Sequence, residues 1–188
     1  MEAFEALVGE LLPLDGWWVL NSVKLELAAE DRASFGKASM PNPELDLVAY
    51  RPSDDRLLVV ECKNYLDSTG VTWRELRLEA DTGGYRLFTS ENRRQFYCDI
   101  LLRQMRRTGL CTPATRVGVA IAVGKFCSKA DERDIRSHFA NKSWEVFGPE
   151  WVRAKLHQLA KQTWHVNSPV AVAAKLLVRL PTSFLEGS

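Results

Sequence analysis

No two cysteines of this chain form a C-x-x-C pair: Cys62, Cys98, Cys111 and Cys127 are scattered, and only 3 histidines accompany them. Zinc sites draw on closely spaced Cys and His ligands, so this scarcity argues against zinc. The thiols are expected to be free, as in a reducing cytoplasm. No apolar run approaches membrane-spanning length. The opening residues MEAFEALVGE are acidic, unlike the basic start of a signal peptide. Repeats and low-complexity stretches are lacking, and the 11 glycines and 8 prolines are spread as punctuation rather than gathered into a linker. These absences point to a single cytoplasmic domain over residues 1–188, long enough to bury its own core and with no membrane contact.

What is present centres on residues 41–65, PNPELDLVAYRPSDDRLLVVECKNY. Two apolar runs, 45–50 and 57–63, flank a polar turn at 52–56, the pattern of a β-hairpin. Alternation sets Leu57, Val59, Glu61 and Lys63 on one face of the second strand and Leu58, Val60 and Cys62 on the other. A strand apolar on both sides is buried, so Glu61 and Lys63 emerge from a dry environment at its end. Asp46 lies inside the first strand on the face of Val48 and Tyr50, where an unpaired carboxylate is costly and needs a partner or a metal. Asp46, Glu61 and the backbone carbonyl of Cys62 form an oxygen set suited to Mg²⁺, with Mn²⁺ as a substitute, because Mg²⁺ keeps several waters and takes few protein carboxylates. Lys63 beside such an ion can orient a water or offset charge developing on a phosphate.

With these residues in place, the chain resembles the PD-(D/E)XK nuclease superfamily. Asp46 matches that motif's first acid, and Glu61-Cys62-Lys63 matches its E-x-K tripeptide. The expected proline directly before the acid is absent; Pro43 stands three residues earlier. The run FEALVGELLPLDGWWV further resembles the opening helix and first strand of the Mrr-like branch, whose accessory acid would here be Glu5. The Gln-x-x-x-Tyr signature of the RecB-like branch is missing, since Gln95 is followed by Asp99 and Gln104 by Thr108.

The remaining elements follow from periodicity and punctuation. Residues 2–12 carry Phe4, Leu7, Val8, Leu11 and Leu12 at helical spacing, and Pro13 and Gly16 end that helix. A first strand is predicted over 17–27, followed by a polar loop over 28–43 in which Ser34, Lys37 and Ser39 are candidate phosphate contacts. Residues 67–92 read as an insertion with a short hairpin turning at 82–84. A helix over 93–107 buries Phe96, Ile100 and Leu101; residues 117–123 form a central strand. Ser128-x-x-Asp131 opens a helix with Ile135 and Phe139 inward. A short strand at 144–147 precedes a helix with Pro149 in its first turn and Val152, Leu156 and Leu159 inward. Ser168-Pro169 opens a last helix carrying Val170, Ala174 and Leu177. The order predicts α/β architecture with a mixed central sheet flanked by helices. The resemblance implies the restriction-endonuclease-like three-layer core.

The formal net charge of +1 conceals a division. Residues 1–66 hold 6 Lys and Arg against 12 Asp and Glu, residues 72–116 hold 9 against 5, and residues 117–188 hold 10 against 6. Carboxylates for an ion and guanidiniums for backbone phosphates are what a metal-dependent phosphodiesterase needs. Arg93, Arg94, Arg103, Arg106 and Arg107 are the candidate phosphate contacts, the last three on one helix face. Trp73, Tyr85 and Tyr97 lie among them, placed for base stacking or for core packing.

The expected activity is Mg²⁺-dependent endonucleolytic hydrolysis, with Asp46, Glu61, Lys63 and Glu5 as the acting side chains. The resemblance favours DNA as substrate, and cutting both strands requires a second site from a homodimer or partner chain. Two alternatives remain: a catalytically silent module of this fold that binds nucleic acid or a protein, and an unrelated α/β domain.

Overall fold

The computed structural model describes residues 2–36, 39–78, 83–162 and 168–179. Helix α1 (Ala3–Leu11) buries Phe4, Val8 and Leu11. Pro13 converts its end into a 3-10 turn, Leu12–Asp15, closed by Gly16 in the left-handed region at φ 79°. Strand β1 (Trp18–Lys24) pairs antiparallel with β2 (Glu44–Arg51), which pairs antiparallel with β3 (Arg56–Lys63). The turn between β2 and β3 places Asp55 at φ 47°, a conformation that aspartate tolerates by local hydrogen bonding. Its carboxylate accepts from the Tyr50 hydroxyl at 3.0 Å and from Thr112 and Thr115 at 2.5 Å each, tying the hairpin to the approach to β4 (Arg116–Val123).

β3 and β4 run parallel, as do β4 and β5 (Glu145–Phe147), so the mixed sheet has the order β1-β2-β3-β4-β5. Both faces are covered. Val48, Val59 and Ile121 pack with Ile100, Leu101 and Met105 of α5 (Glu91–Arg107) and with Ile135 and Phe139 of α6 (Lys129–Asn141). Leu47, Leu58, Val60 and Ala120 pack on the other side with α1 and with Val152 and Leu159 of α7 (Pro149–Lys161). Burial of β3 on both sides is the reason its sequence is apolar at successive positions. The caps behave as the sequence predicts at Ser128, whose hydroxyl accepts from Asp131 N at 3.0 Å, satisfying a donor in the first helical turn.

Several expectations are corrected. The first strand stops at Lys24, although Leu25 and Leu27 are still buried. The polar loop contains a helix, α2 (Ala29–Ser34). Its first turn is secured by the Asp31 carboxylate, which accepts from Ala28 N at 2.7 Å. Among the described residues of the 67–92 region are two short helices, α3 (Trp73–Leu76) and α4 (Arg86–Thr89); Thr82 of the expected hairpin turn, like Lys37, lies outside the described residues. In α5 the buried stripe includes Arg93 and Met105, with Phe96 only half-buried. In α8 (Pro169–Arg179) Ala171 and Ala174 are buried while Leu177 is exposed. Periodicity alone does not say which side of a short apolar helix has a neighbour.

One position ties the fold to the end of β3. Gly124 N donates to Lys63 O at 2.9 Å, and a Cβ on Gly124 would lie 2.2 Å from the backbone oxygen of Asn64. Gly124→Ala should therefore destabilise by about 3 kcal/mol. Thermal unfolding should show a midpoint lower by about 6–12 °C; an unchanged midpoint would refute this close approach.

Candidate active site

The register of β2 on β3 runs from Arg51↔Arg56 to Leu47↔Val60. One further step sets Asp46 across from Glu61. There the strands part, and the Asp46 side chain takes the place of a backbone acceptor: Cys62 N donates to Oδ2 at 2.7 Å. On the other side of β2 the pairing with β1 also skips Asp46, opposite Ser22 at φ 51°. The β1 pairing resumes at Val23↔Leu45, so Asp46 sits at an interruption of the β1 ladder and at the end of the β3 ladder, where the sheet opens. Within a strand, the N–H and C=O of one residue point toward the same neighbouring strand, and those of the next residue point the opposite way. Lys63 gives its carbonyl to Gly124 on the β4 side. The Cys62 carbonyl therefore faces the opening beside Asp46.

Lys63 Nζ pairs with Glu61 Oε1 at 2.6 Å, both side chains being largely withdrawn from water. The ammonium also lies 5.6 Å from the ring centroid of Tyr85. That ring is buried, and the separation is a cation–π distance. Burial pulls the Lys63 pKa down, but the Glu61 carboxylate beside it, with Asp46 further off, more than restores it, so Lys63 stays an ammonium at neutral pH. Burial, followed by the charges of Glu61 and Glu5, pushes the Asp46 carboxyl up to about 6 against the opposing Cys62 N–H. Burial and the Asp46 charge push the Cys62 thiol well above its ordinary value, which removes it as a thiolate nucleophile.

Glu5 is half-buried on the first turn of α1, where its Oε2 accepts from Glu2 N at 3.0 Å. Its charge reaches both Asp46 and Cys62, so the structure brings it into the electrostatic surroundings of the site. Among the described residues, no group of three or more His, Cys, Asp and Glu side chains is arranged as a metal cage. The donors present are two carboxylates and a backbone carbonyl, with a third acid nearby. That set fits a hard divalent cation that retains waters. The Asp46 pKa is raised first by burial and then by the neighbouring acids Glu61 and Glu5, and a cation held there would favour the ionised carboxylate.

Asp46, Glu61 and Lys63 line a groove of about 870 Å³ whose other walls come from the segment after α2 and from residues 83–87 and α5. Of the five candidate arginines, only Arg93 reaches it. Arg93 is buried, donating to the Tyr97 hydroxyl at 2.8 Å and lying over Phe35. Arg94 donates to the carbonyls of Leu87 and Phe88 and covers Trp144, and burial lowers its pKa. Arg103 holds Asp31 through two hydrogen bonds, Arg107 pairs with Glu26, and Arg106 donates to the carbonyls of Thr112 and Pro113. The shared face of these three is thus tied into the protein. Sequence reading missed Arg86, an exposed side chain on the groove with no ion pair or hydrogen bond among the described residues. A lone arginine in a stretch read as an insertion gives no local signal. Comparison of the chain with protein-family models, curated proteins and solved structures finds no match.

Proposed function

We propose that this chain is a Mg²⁺-dependent phosphodiester hydrolase acting on DNA, an endonuclease of the PD-(D/E)XK type. The observation that carries the proposal is the convergence of Asp46, Glu61, the Cys62 backbone and a charged Lys63 at one sheet opening on the floor of a groove. The motif resemblance at Asp46 and Glu61-Cys62-Lys63 supports the same chemistry.

Asp46, Glu61 and the Cys62 carbonyl would hold the ion, with Glu5 adding negative charge or reaching it through water. When bound, Mg²⁺ supplies Lewis acidity toward a phosphoryl oxygen. Lys63, held as an ammonium by Glu61, donates rather than accepts protons. It orients the attacking water by hydrogen bonding and offsets charge as the phosphate becomes pentacovalent. Tyr85 and Glu61 hold the ammonium in place. Arg86, with the buried Arg93 behind it, sets positive charge along the groove for the flanking phosphates.

Calorimetric titration of Mg²⁺ and Mn²⁺ into wild type and Asp46→Ala, with plasmid nicking on the same samples, tests the proposal. Binding by wild type alone, with metal-dependent nicking, is expected; absence of metal binding by wild type would overturn it. Binding without nicking of any nucleic acid would instead identify a silent module. A ligand carboxylate must lose its proton before it can bind. As pH rises toward about 6 the apparent Kd should therefore fall about tenfold per pH unit, then level off. A Kd that stays flat across this range would show that Asp46 is not a ligand.

A further inference from the structure

The groove holds two kinds of surface side by side. Lys63, Arg86 and the buried Arg93 bring positive charge beside the acids Glu44, Asp46 and Glu61, whereas Pro41 and the half-buried Tyr97, backed by the core residues Met40, Leu45 and Leu87, bring an apolar and aromatic wall. Intact duplex DNA presents phosphates and sugars at its surface and keeps its base faces stacked, so it has little use for such a wall. An unpaired nucleotide needs both, a cationic contact for its phosphate and an apolar or aromatic surface for its base.

We infer that the groove takes a single, unpaired nucleic-acid strand, with a base against the Tyr97 wall and its phosphates toward Lys63 and Arg86. As a statement about substrate this rests on the proposed hydrolysis at the same site. The Tyr97 hydroxyl accepts from Arg93 Nη1 at 2.8 Å. That bond suits Tyr97 to the task, because it holds the ring in one position before a strand arrives. Arg86 is exposed and has no hydrogen bond or ion pair among the described residues, so a phosphate would not compete with an internal carboxylate.

Fluorescence anisotropy with a labelled DNA strand of about 12 nucleotides, the RNA of the same sequence and a blunt hairpin duplex, all in EDTA, tests the inference. The single strand should bind at least about tenfold more tightly than the hairpin. Tyr97→Ala should lose about tenfold in single-strand affinity and little for the hairpin, while Tyr97→Phe keeps the ring and the affinity. Arg86→Ala should flatten the slope of log K against log[salt] for the single strand by about 0.7. Either polymer bound in this way sustains the inference, and the tighter one identifies the strand. Equal or tighter hairpin binding, or a Tyr97→Ala protein that binds single strands like wild type, overturns it. Omitting metal separates the two proposals. Single-strand preference in a protein that never cuts would sink the hydrolysis and leave this inference standing. Metal-dependent cutting of intact duplex without single-strand preference would do the reverse.

Discussion

Lys63→Met should lower metal-dependent cleavage by about 10²–10³-fold, the loss seen when a preorganised donor to developing charge is removed. Met preserves most of the side-chain volume against Tyr85, so the groove wall keeps its shape. The informative readout is Mg²⁺ affinity. Removing a positive charge beside Asp46 and Glu61 should tighten binding of a cation by about 1 kcal/mol, or about fivefold. A protein that binds Mg²⁺ more tightly yet no longer cuts is the expected result. Retained cleavage would remove Lys63 from the mechanism. Lost cleavage together with lost metal binding would show that Lys63 chiefly holds Glu61 and the local fold.

Asp46→Asn should make the metal-free protein more stable while abolishing metal binding. In the folded state the carboxyl is half-buried near Glu61 and Glu5, and ionises only at about 6 rather than at its usual 3.8. A displacement of that size corresponds to about 3 kcal/mol, which screening around a partly exposed carboxyl reduces to about 1–2 kcal/mol. The sign follows from proton uptake. Below about pH 4 Asp46 is protonated in both folded and unfolded chains, so the substitution changes little. Between about 4 and 6 the unfolded chain loses its proton first, which weakens the wild-type fold as pH rises. Above 6 the full difference remains. An amide keeps an oxygen to accept from Cys62 N without the charge. Thermal unfolding in EDTA at about pH 7.5 should give a midpoint about 2–8 °C higher for the variant, and the gap should close toward about pH 4. Saturating Mg²⁺ should stabilise wild type and leave the variant unmoved, narrowing or reversing the order. A variant less stable than wild type at every pH would mean that Asp46 is a structural ion-pair member.

How far this site was legible depends on how local its causes are. The hairpin, its faces and the opposition of Asp46 to Glu61 follow from strict alternation around a short turn, all of it visible in one continuous stretch of sequence. The cap at Ser128 and the apolar strand over 117–123 are likewise local matters. Helix α2 was hidden because its residues are polar and its capping acid, Asp31, is an ordinary loop residue until its own backbone turns.

The arginines mark the limit most clearly. By sequence, Arg103, Arg106 and Arg107 formed a basic helix face open to phosphate. In the folded chain Asp31 meets Arg103 from 72 residues away and Glu26 meets Arg107 from 81 residues away. Arg86, unremarkable in sequence, lines the same groove as Lys63. The sequence by itself determined the α/β layering, the strand faces and the acid–acid–lysine set, because backbone periodicity and hydrophobic burial act over neighbouring residues. Only the tertiary structure decided which charges neutralise one another and set Arg86 on the groove with no ion pair among the described residues. Charges interact through space, and the chain's path sets those distances without leaving a local pattern.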